Sequence, residues 1–248
     1  MNLTCPWGLQ FIIWWHYTGR STVCSKFFSV LYIEDEPIWS GLVVAVLADL
    51  PGVRAAVAAA TGAEGLVHAR ACRTEVVLLD LRLPDVDGLI LADRLAALPH
   101  RPRIVLFSAR SDEAALHAAS RPHLAGMIGK SLQASRLLPR MLEEVTAGRR
   151  FFSPDVRTAL QELKGKPDAF FKILSPRELE FAAAFGRGLG DEAVAAELGV
   201  GVFAARSQRQ RIMQKLGLHR SPELIHWAIR TGLVDPVRPP LLRAETGR

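Results

Sequence analysis

The stretch Val76-Val-Leu-Leu-Asp80-Leu-Arg-Leu-Pro-Asp-Val-Asp-Gly88 decides the fold. Four apolar residues in a row, closed off by polar and turn-forming ones, read as a short strand buried on both faces. Asp80 stands where that strand stops, and Pro84 and Gly88 punctuate the loop that follows. Outward from this segment the pattern repeats. Short apolar runs predict further strands at 29–33, 53–58, 104–107 and 126–128. Between and after them lie helix-length segments at 37–50, 63–71, 88–98, 112–120 and 133–146. Strands alternating with helices imply a parallel α/β sheet covered on both faces. In such sheets functional groups gather at the carboxyl ends of the strands.

The rest of the chain differs in character. A second boundary follows Gly148, and the stretch Lys164-Gly-Lys-Pro-Asp168 reads as part of a linker spanning 148–172. Residues 173–234 show only helical patterns. Ser175-Pro-Arg-Glu178 is a helix start, with Ser at the N-cap, Pro at the first position and Glu placed for a capping box. Residues 235–248, with Pro236, Pro239 and Pro240, read as an irregular tail. Residues 1–27 hold three of the five Trp, two of the three Cys and no acid, and read as an N-terminal extension.

Composition narrows the function classes. Of 248 residues, 49% are hydrophobic and 23% charged, which excludes a wholly disordered chain. The longest apolar runs, 11–15 and 41–48, fall short of the roughly 20 residues a membrane span needs, so no membrane association is expected. Cys5, Cys24 and Cys72 are too scattered for a disulfide framework, and the expected compartment is the reducing cytoplasm. Residues 29–147 carry 12 Lys+Arg against 14 Asp+Glu, whereas 148–234 carry 14 against 9. Excess positive charge confined to the second half suits a polyanion partner there.

Polar residues end the predicted strands. Glu34 and Asp35 close the first, Asp80 the third, Ser108 the fourth and Lys130 the fifth. Clustered carboxylates repel unless a proton or cation intervenes, and hard oxygen donors around an open site favour Mg²⁺. A carboxylate there can act as a nucleophile toward phosphorus, while a lysine and a hydroxyl can hold phosphoryl oxygens. Singly, each has a structural alternative, since a strand-end Asp can cap a helix and Lys130 can be a solvated loop residue. Gly129-Lys130-Ser131 is not a P-loop, because position 124 is Leu124 where that motif needs Gly. An aspartyl phosphatase would place Asp-x-Asp after the first strand, where this chain has Glu34-Asp35-Glu36.

Residues 28–147 resemble the receiver domain of two-component response regulators. The resemblance rests on Leu79-Asp80-Leu-Arg-Leu-Pro-Asp-Val-Asp-Gly88 and on Leu31-Tyr-Ile-Glu-Asp-Glu-Pro37. It implies a flavodoxin-like five-stranded sheet of order 2-1-3-4-5, with Asp80 as phospho-acceptor. It further implies that Glu34, Asp35, Asp80 and the backbone carbonyl of Arg82 hold Mg²⁺, and that Ser108 and Lys130 contact the phosphoryl group. One departure stands out. Met127 occupies the position three before the lysine, where the family usually has Tyr or Phe.

A second constellation lies in 174–234. Phe181, Ala184 and Phe185 suit one helix, Val194, Ala195 and Leu198 another, and a turn at Gly199-Val-Gly201 leads into a third. The third helix has an apolar face of Ala205, Ile212, Met213 and Leu216. It also carries Arg206, Ser207, Arg209, Gln210, Arg211, Gln214 and Lys215, without an acid. That order suits a helix-turn-helix, whose last helix enters the major groove of DNA; a small bundle with a solvated basic face is the alternative. Leu174-Ser-Pro-Arg-Glu178, Gly188-Leu189, Ala195-Ala-Glu-Leu-Gly199 and Lys215-Leu-Gly217 resemble the LuxR-type output domain, and a receiver joined to it defines the NarL/FixJ class. The resemblance implies that Arg206, Ser207 and Gln210 face bases while Arg209 and Lys215 lie near the backbone. Gly201, Phe203 and Ala204 depart from the family's front-of-helix residues; Phe203 either touches a thymine methyl or packs inward, and packing is the favoured expectation. The expectation is a non-enzymatic transcriptional regulator that accepts a phosphoryl group from a sensor histidine kinase and acts as a homodimer. A phosphorylation-independent regulator or protein-interaction module stands as the alternative.

Overall fold

The computed structural model describes residues 27–131 and 133–235. The expectations for the N-terminal extension before Phe27 and for the tail beyond Asp235 lie outside the described residues. Close contacts divide the chain into two units. Of the described residues, one unit comprises those from 27 to 108 together with 122–151, and the other 109–121 together with 152–235.

The first unit is built on a sheet of strands β1 (Phe28–Ile33), β2 (Val53–Ala59), β3 (Val76–Leu79), β4 (Arg103–Ser108), β5 (Leu124–Gly129) and β6 (Phe151–Phe152). Their order is β2-β1-β3-β4-β5-β6, and β1 through β5 pair in parallel. All four residues of β3 are buried, as its unbroken apolar run requires of a central parallel strand. The helices of this unit are α1 (Pro37–Ala48), α2 (Gly62–Cys72), α3 (Gly88–Ala96) and α5 (Leu138–Thr146), while α4 (Glu113–Ala119) belongs to the second unit. One buried cluster joins Val43 and Leu47 of α1 and Met141, Leu142 and Val145 of α5 to Val30, Tyr32, Val76, Leu78, Val105 and Phe107 of the sheet.

The five expected strands are present in the expected order, and β6 adds a sixth at the β5 edge. A two-residue strand leaves no periodicity to read. Its signature is on the neighbouring strand: Gly126 has φ +150°, and a Cβ there would lie 1.7 Å from the Phe151 carbonyl oxygen. Only glycine admits so close a backbone.

The second unit is helical: α4 (Glu113–Ala119), α6 (Pro154–Gly165), α7 (Phe170–Ile173), α8 (Pro176–Gly186), α9 (Asp191–Leu198), α10 (Val202–Lys215) and α11 (Ser221–Arg230). The segment read as a linker therefore contains a helix of 12 residues. Pro154 begins α6, and Val156, Leu160 and Leu163 form its buried stripe. Phe181, Ala184, Phe185, Val194, Ala195, Ala205, Ile212, Leu224 and Trp227 make one core, which Ala114 of α4 joins. Arg110 donates to the Gly232 carbonyl at 2.6 Å, and the Ala114 amide donates to the Thr231 carbonyl at 3.0 Å.

Candidate functional site

Strand register brings the expected phosphoryl-transfer residues together. Ile33 pairs with Leu79, so Glu34 and Asp80 leave their strands side by side. Leu79 pairs with Leu106 and Ser108 with Gly129, which sets Ser108 and Lys130 at the same sheet edge. Carboxylate oxygens of Glu34, Asp35 and Asp80 all lie within 4.8 Å of one another. Glu34, Asp80 and Ser108 are buried, and Asp35 is exposed.

Lys130 organises the acids. Its Nζ lies 2.8 Å from Asp80 Oδ2 and forms an ion pair with Glu34. The other Asp80 oxygen accepts from the Leu81 amide at 2.6 Å. Glu34 also accepts from the Tyr32 hydroxyl at 2.5 Å and from the Glu36 amide at 3.2 Å. Burial pushes the Glu34 carboxyl above the ordinary carboxylate range, against the opposing hydrogen bonds from Lys130 and Tyr32. Burial alone would lower the Lys130 ammonium, but hydrogen bonds and charge from Asp80 and Glu34 outweigh it and raise the group. Tyr32 is driven well above the usual phenol range by burial first and by its bond to Glu34 second.

The sequence reading missed Tyr32 and Trp39. Tyr32 precedes Glu34 by two, so both side chains leave β1 on one face, a signal that strand alternation carries. Trp39 places its ring 6.0 Å from Lys130 Nζ, a cation–π contact that no local pattern reveals.

The loop after Asp80 is pinned at both ends. Asp85 accepts from the Gly62 and Ala63 amides, each at 2.8 Å, and so caps α2 from a distance. Asp87 caps α3 by accepting from Leu89 at 2.7 Å. Gly88 allows the close approach, since a Cβ there would lie 2.5 Å from the Asp80 carbonyl oxygen. Arg82 sits in this loop, bridged to Asp87. Three carboxylates at one open edge form a hard-oxygen donor set that fits a divalent cation.

The helical unit supplies the second site. The Ser175–Glu178 capping box is present on α8, and α9 ends at Gly199 with φ +66°. Helix α10 buries Ala205 and Ile212, with Met213 and Leu216 partly buried. The expected DNA-facing residues divide into two groups. Arg206 and Gln210 are exposed and Ser207 is half-buried. Arg209 lies with its guanidinium 5.7 Å from the Phe185 ring and donates to Ser221 Oγ at 3.2 Å, and Lys215 donates to Glu178 at 2.9 Å. Asp191, which the sequence reading also passed over, accepts from Arg206 at 3.1 Å and from Arg209 at 3.0 Å through one oxygen. Phe203 does not pack inward: it is 83% exposed.

A parallel sheet with these residues at its edge defines a receiver, and residues 30–142 match the family model of the response regulator receiver domain. The chain therefore carries a response regulator receiver domain, followed by a helical unit in which α9 and α10 meet at a turn. It is 24% identical over 210 residues to "Response regulator UvrY" of Escherichia coli K12, covering 84% of this chain and 96% of that protein. It is 29% identical over 187 residues to "Oxygen regulatory protein NreC" of Staphylococcus aureus, covering 71% and 85%. The fold is shared with RcsB of Salmonella enterica serovar Typhimurium, solved bound to a promoter with phosphomimetic BeF3⁻. The TM-score is 0.57 and the identity 20%, over 83% of this chain and 98% of that one. Among the described residues no helix is long and apolar enough to cross a membrane.

Proposed function

We propose that this chain is a cytoplasmic, phosphorylation-regulated DNA-binding transcriptional regulator. Residues 28–147 act as the receiver, 148–172 as the connection and 173–234 as the output domain. A sensor histidine kinase supplies the phosphoryl group. The N–P bond of its phosphohistidine, protonated on the other ring nitrogen, breaks as a P–O bond to an Asp80 carboxylate oxygen forms, and the imidazole leaves neutral. Glu34, Asp35 and Asp80, with the Arg82 carbonyl, would hold Mg²⁺, which when bound would supply positive charge to the phosphoryl oxygens. Lys130 and Ser108 hold those oxygens in place. In the output domain Arg206, Ser207 and Gln210 face bases, and Arg209 and Lys215 lie near the DNA backbone. The active form is a homodimer on a two-fold site.

The observation that carries the reading is the convergence at Asp80, with Lys130 Nζ at 2.8 Å and two further carboxylates within 4.8 Å. The test is incubation with acetyl phosphate and Mg²⁺, read by intact mass. Wild type should gain one phosphoryl group and Asp80→Asn none; equal labelling of both removes Asp80 from its role.

Met127 motivates the second reading, a phosphorylation-independent regulator. It is fully buried in β5, where the family usually has an aromatic ring. Equal DNA affinity with and without acetyl phosphate, for protein shown to be labelled, would favour that reading.

A further inference from the structure

The front of α10 carries an aromatic side chain in water. Phe203 is 83% exposed and Val202 41% exposed, and Ala204 is exposed beside them. Helical spacing of three and four residues puts Phe203, Arg206, Ser207 and Gln210 on one face. That face is opposite Ala205 and Ile212, which hold the helix to its core. An apolar ring at the leading end of a basic, acid-free face complements one surface in particular. The major groove of DNA offers negative charge along its walls and, at each thymine, a projecting C5-methyl group. Asp191 restrains the Arg206 guanidinium from one side, so Arg206 enters the groove beside Phe203 already oriented.

We propose that Phe203 is a specificity-determining residue that reads thymine by contact with its methyl group. The inference rests on the DNA-binding reading above and names the base that reading leaves open. Arg206 and Gln210 then hydrogen-bond neighbouring base edges, and Phe203 selects among sites at a position where no hydrogen bond is made.

The experiment uses the full-length protein, with and without acetyl phosphate and Mg²⁺. A preferred duplex is first selected from a random pool. Each thymine of that site is then replaced in turn by deoxyuridine, which differs only by the missing methyl. Affinities are measured for wild type, Phe203→Ala and Phe203→Leu. Wild type should lose about fourfold in affinity at one thymine per half-site, the equivalent of one buried methyl. Phe203→Ala should abolish that discrimination and leave the salt dependence unchanged, while Phe203→Leu should retain part of it. Phe203 makes no core contact that its removal would disturb, so each variant should fold as wild type does. Wild type binding thymine and deoxyuridine alike at every position overturns the proposal, as does undiminished discrimination in Phe203→Ala. A dimer in the absence of DNA that Phe203→Ala dissolves also overturns it, by assigning the ring to a second copy. Failure to enrich or bind any duplex in either state defeats the DNA-binding reading itself, and this proposal with it.

Discussion

Replacing Lys130 with Met tests the electrostatics of the receiver site. Among the described residues the ammonium is the one cation bonded to both Glu34 and Asp80, whose side chains are 0% and 7% exposed. Removing one partner of a buried ion pair costs about 3–5 kcal/mol when the remaining charge has no other compensation. Here the Tyr32 hydroxyl and the Leu81 amide remain, at 2.5 and 2.6 Å. Proton uptake sets a second ceiling. At about pH 7.5, neutralising one carboxyl of ordinary pKa near 4.3 costs about 4 kcal/mol at most. The two bounds agree on a loss of about 3 kcal/mol without Mg²⁺. The sign with pH follows from Glu34, whose carboxyl is already raised by burial and rises further without the lysine. A raised carboxyl contributes stability below its unfolded pKa and loses it as pH rises through the folded value. The deficit of Lys130→Met against wild type should therefore shrink as pH falls from about 7.5 to about 5.5. Native-state hydrogen exchange of the β3 amides isolates the first unit and measures it. A deficit below about 1 kcal/mol at the higher pH, or one that does not shrink with acid, would refute the reasoning.

Two further outcomes follow from the same structure. Gly126→Ala forces a side chain into φ +150° with its Cβ 1.7 Å from the Phe151 carbonyl oxygen; it should cost more than about 2 kcal/mol and strip the Phe151 amide of exchange protection, and unchanged protection there would count against β6. Glu223 accepts from the His219 amide and from Arg220, which pushes its carboxyl down to about 2. A depressed carboxyl contributes stability above its unfolded pKa and loses it as pH falls through the folded value, so in urea melts the gap between wild type and Glu223→Gln should be constant near neutrality and narrow below about pH 4.

The sheet was legible because β3 and its neighbours are buried on both faces, and such strands write themselves as unbroken apolar runs. The strand-end carboxylates were legible for the same reason, since where each run stops fixes which residue comes next. What escaped was contact between distant elements. The Lys130 link to Glu34 spans 96 positions of sequence, and the Asp191 clamp joins two helices across a turn. The run 164–168 drew the reading toward a linker, although Val156, Leu160 and Leu163 stood at helical spacing before it. Phe203 was misplaced because its apolar character was weighed without its angle. It precedes the buried Ala205 by two residues, about 200° around a helix, and so points to the opposite side.

Charge at the receiver edge links the site to its regulation. Glu34, Asp35 and Asp80 stand against Lys130, and Asp80 and Glu34 already share its single ammonium. A phosphoryl group on Asp80 replaces one carboxylate charge by nearly two and adds oxygens that compete for that same ammonium. Lys130 spends two of its three N–H donors on Asp80 and Glu34, so with Asp80 as phospho-acceptor the added oxygens would draw the ammonium from Glu34 or call for another cation. A cation held by Glu34, Asp35 and Asp80 would meet the second need, and Asp35 is the exposed member of that cluster. Released from Lys130, Glu34 keeps Tyr32, and Tyr32 packs edge-on against Phe107 of β4 at 5.5 Å between ring centroids. A shift of Glu34 on phosphorylation would thus reach the core through Tyr32 and Phe107, a route that needs no ring at position 127.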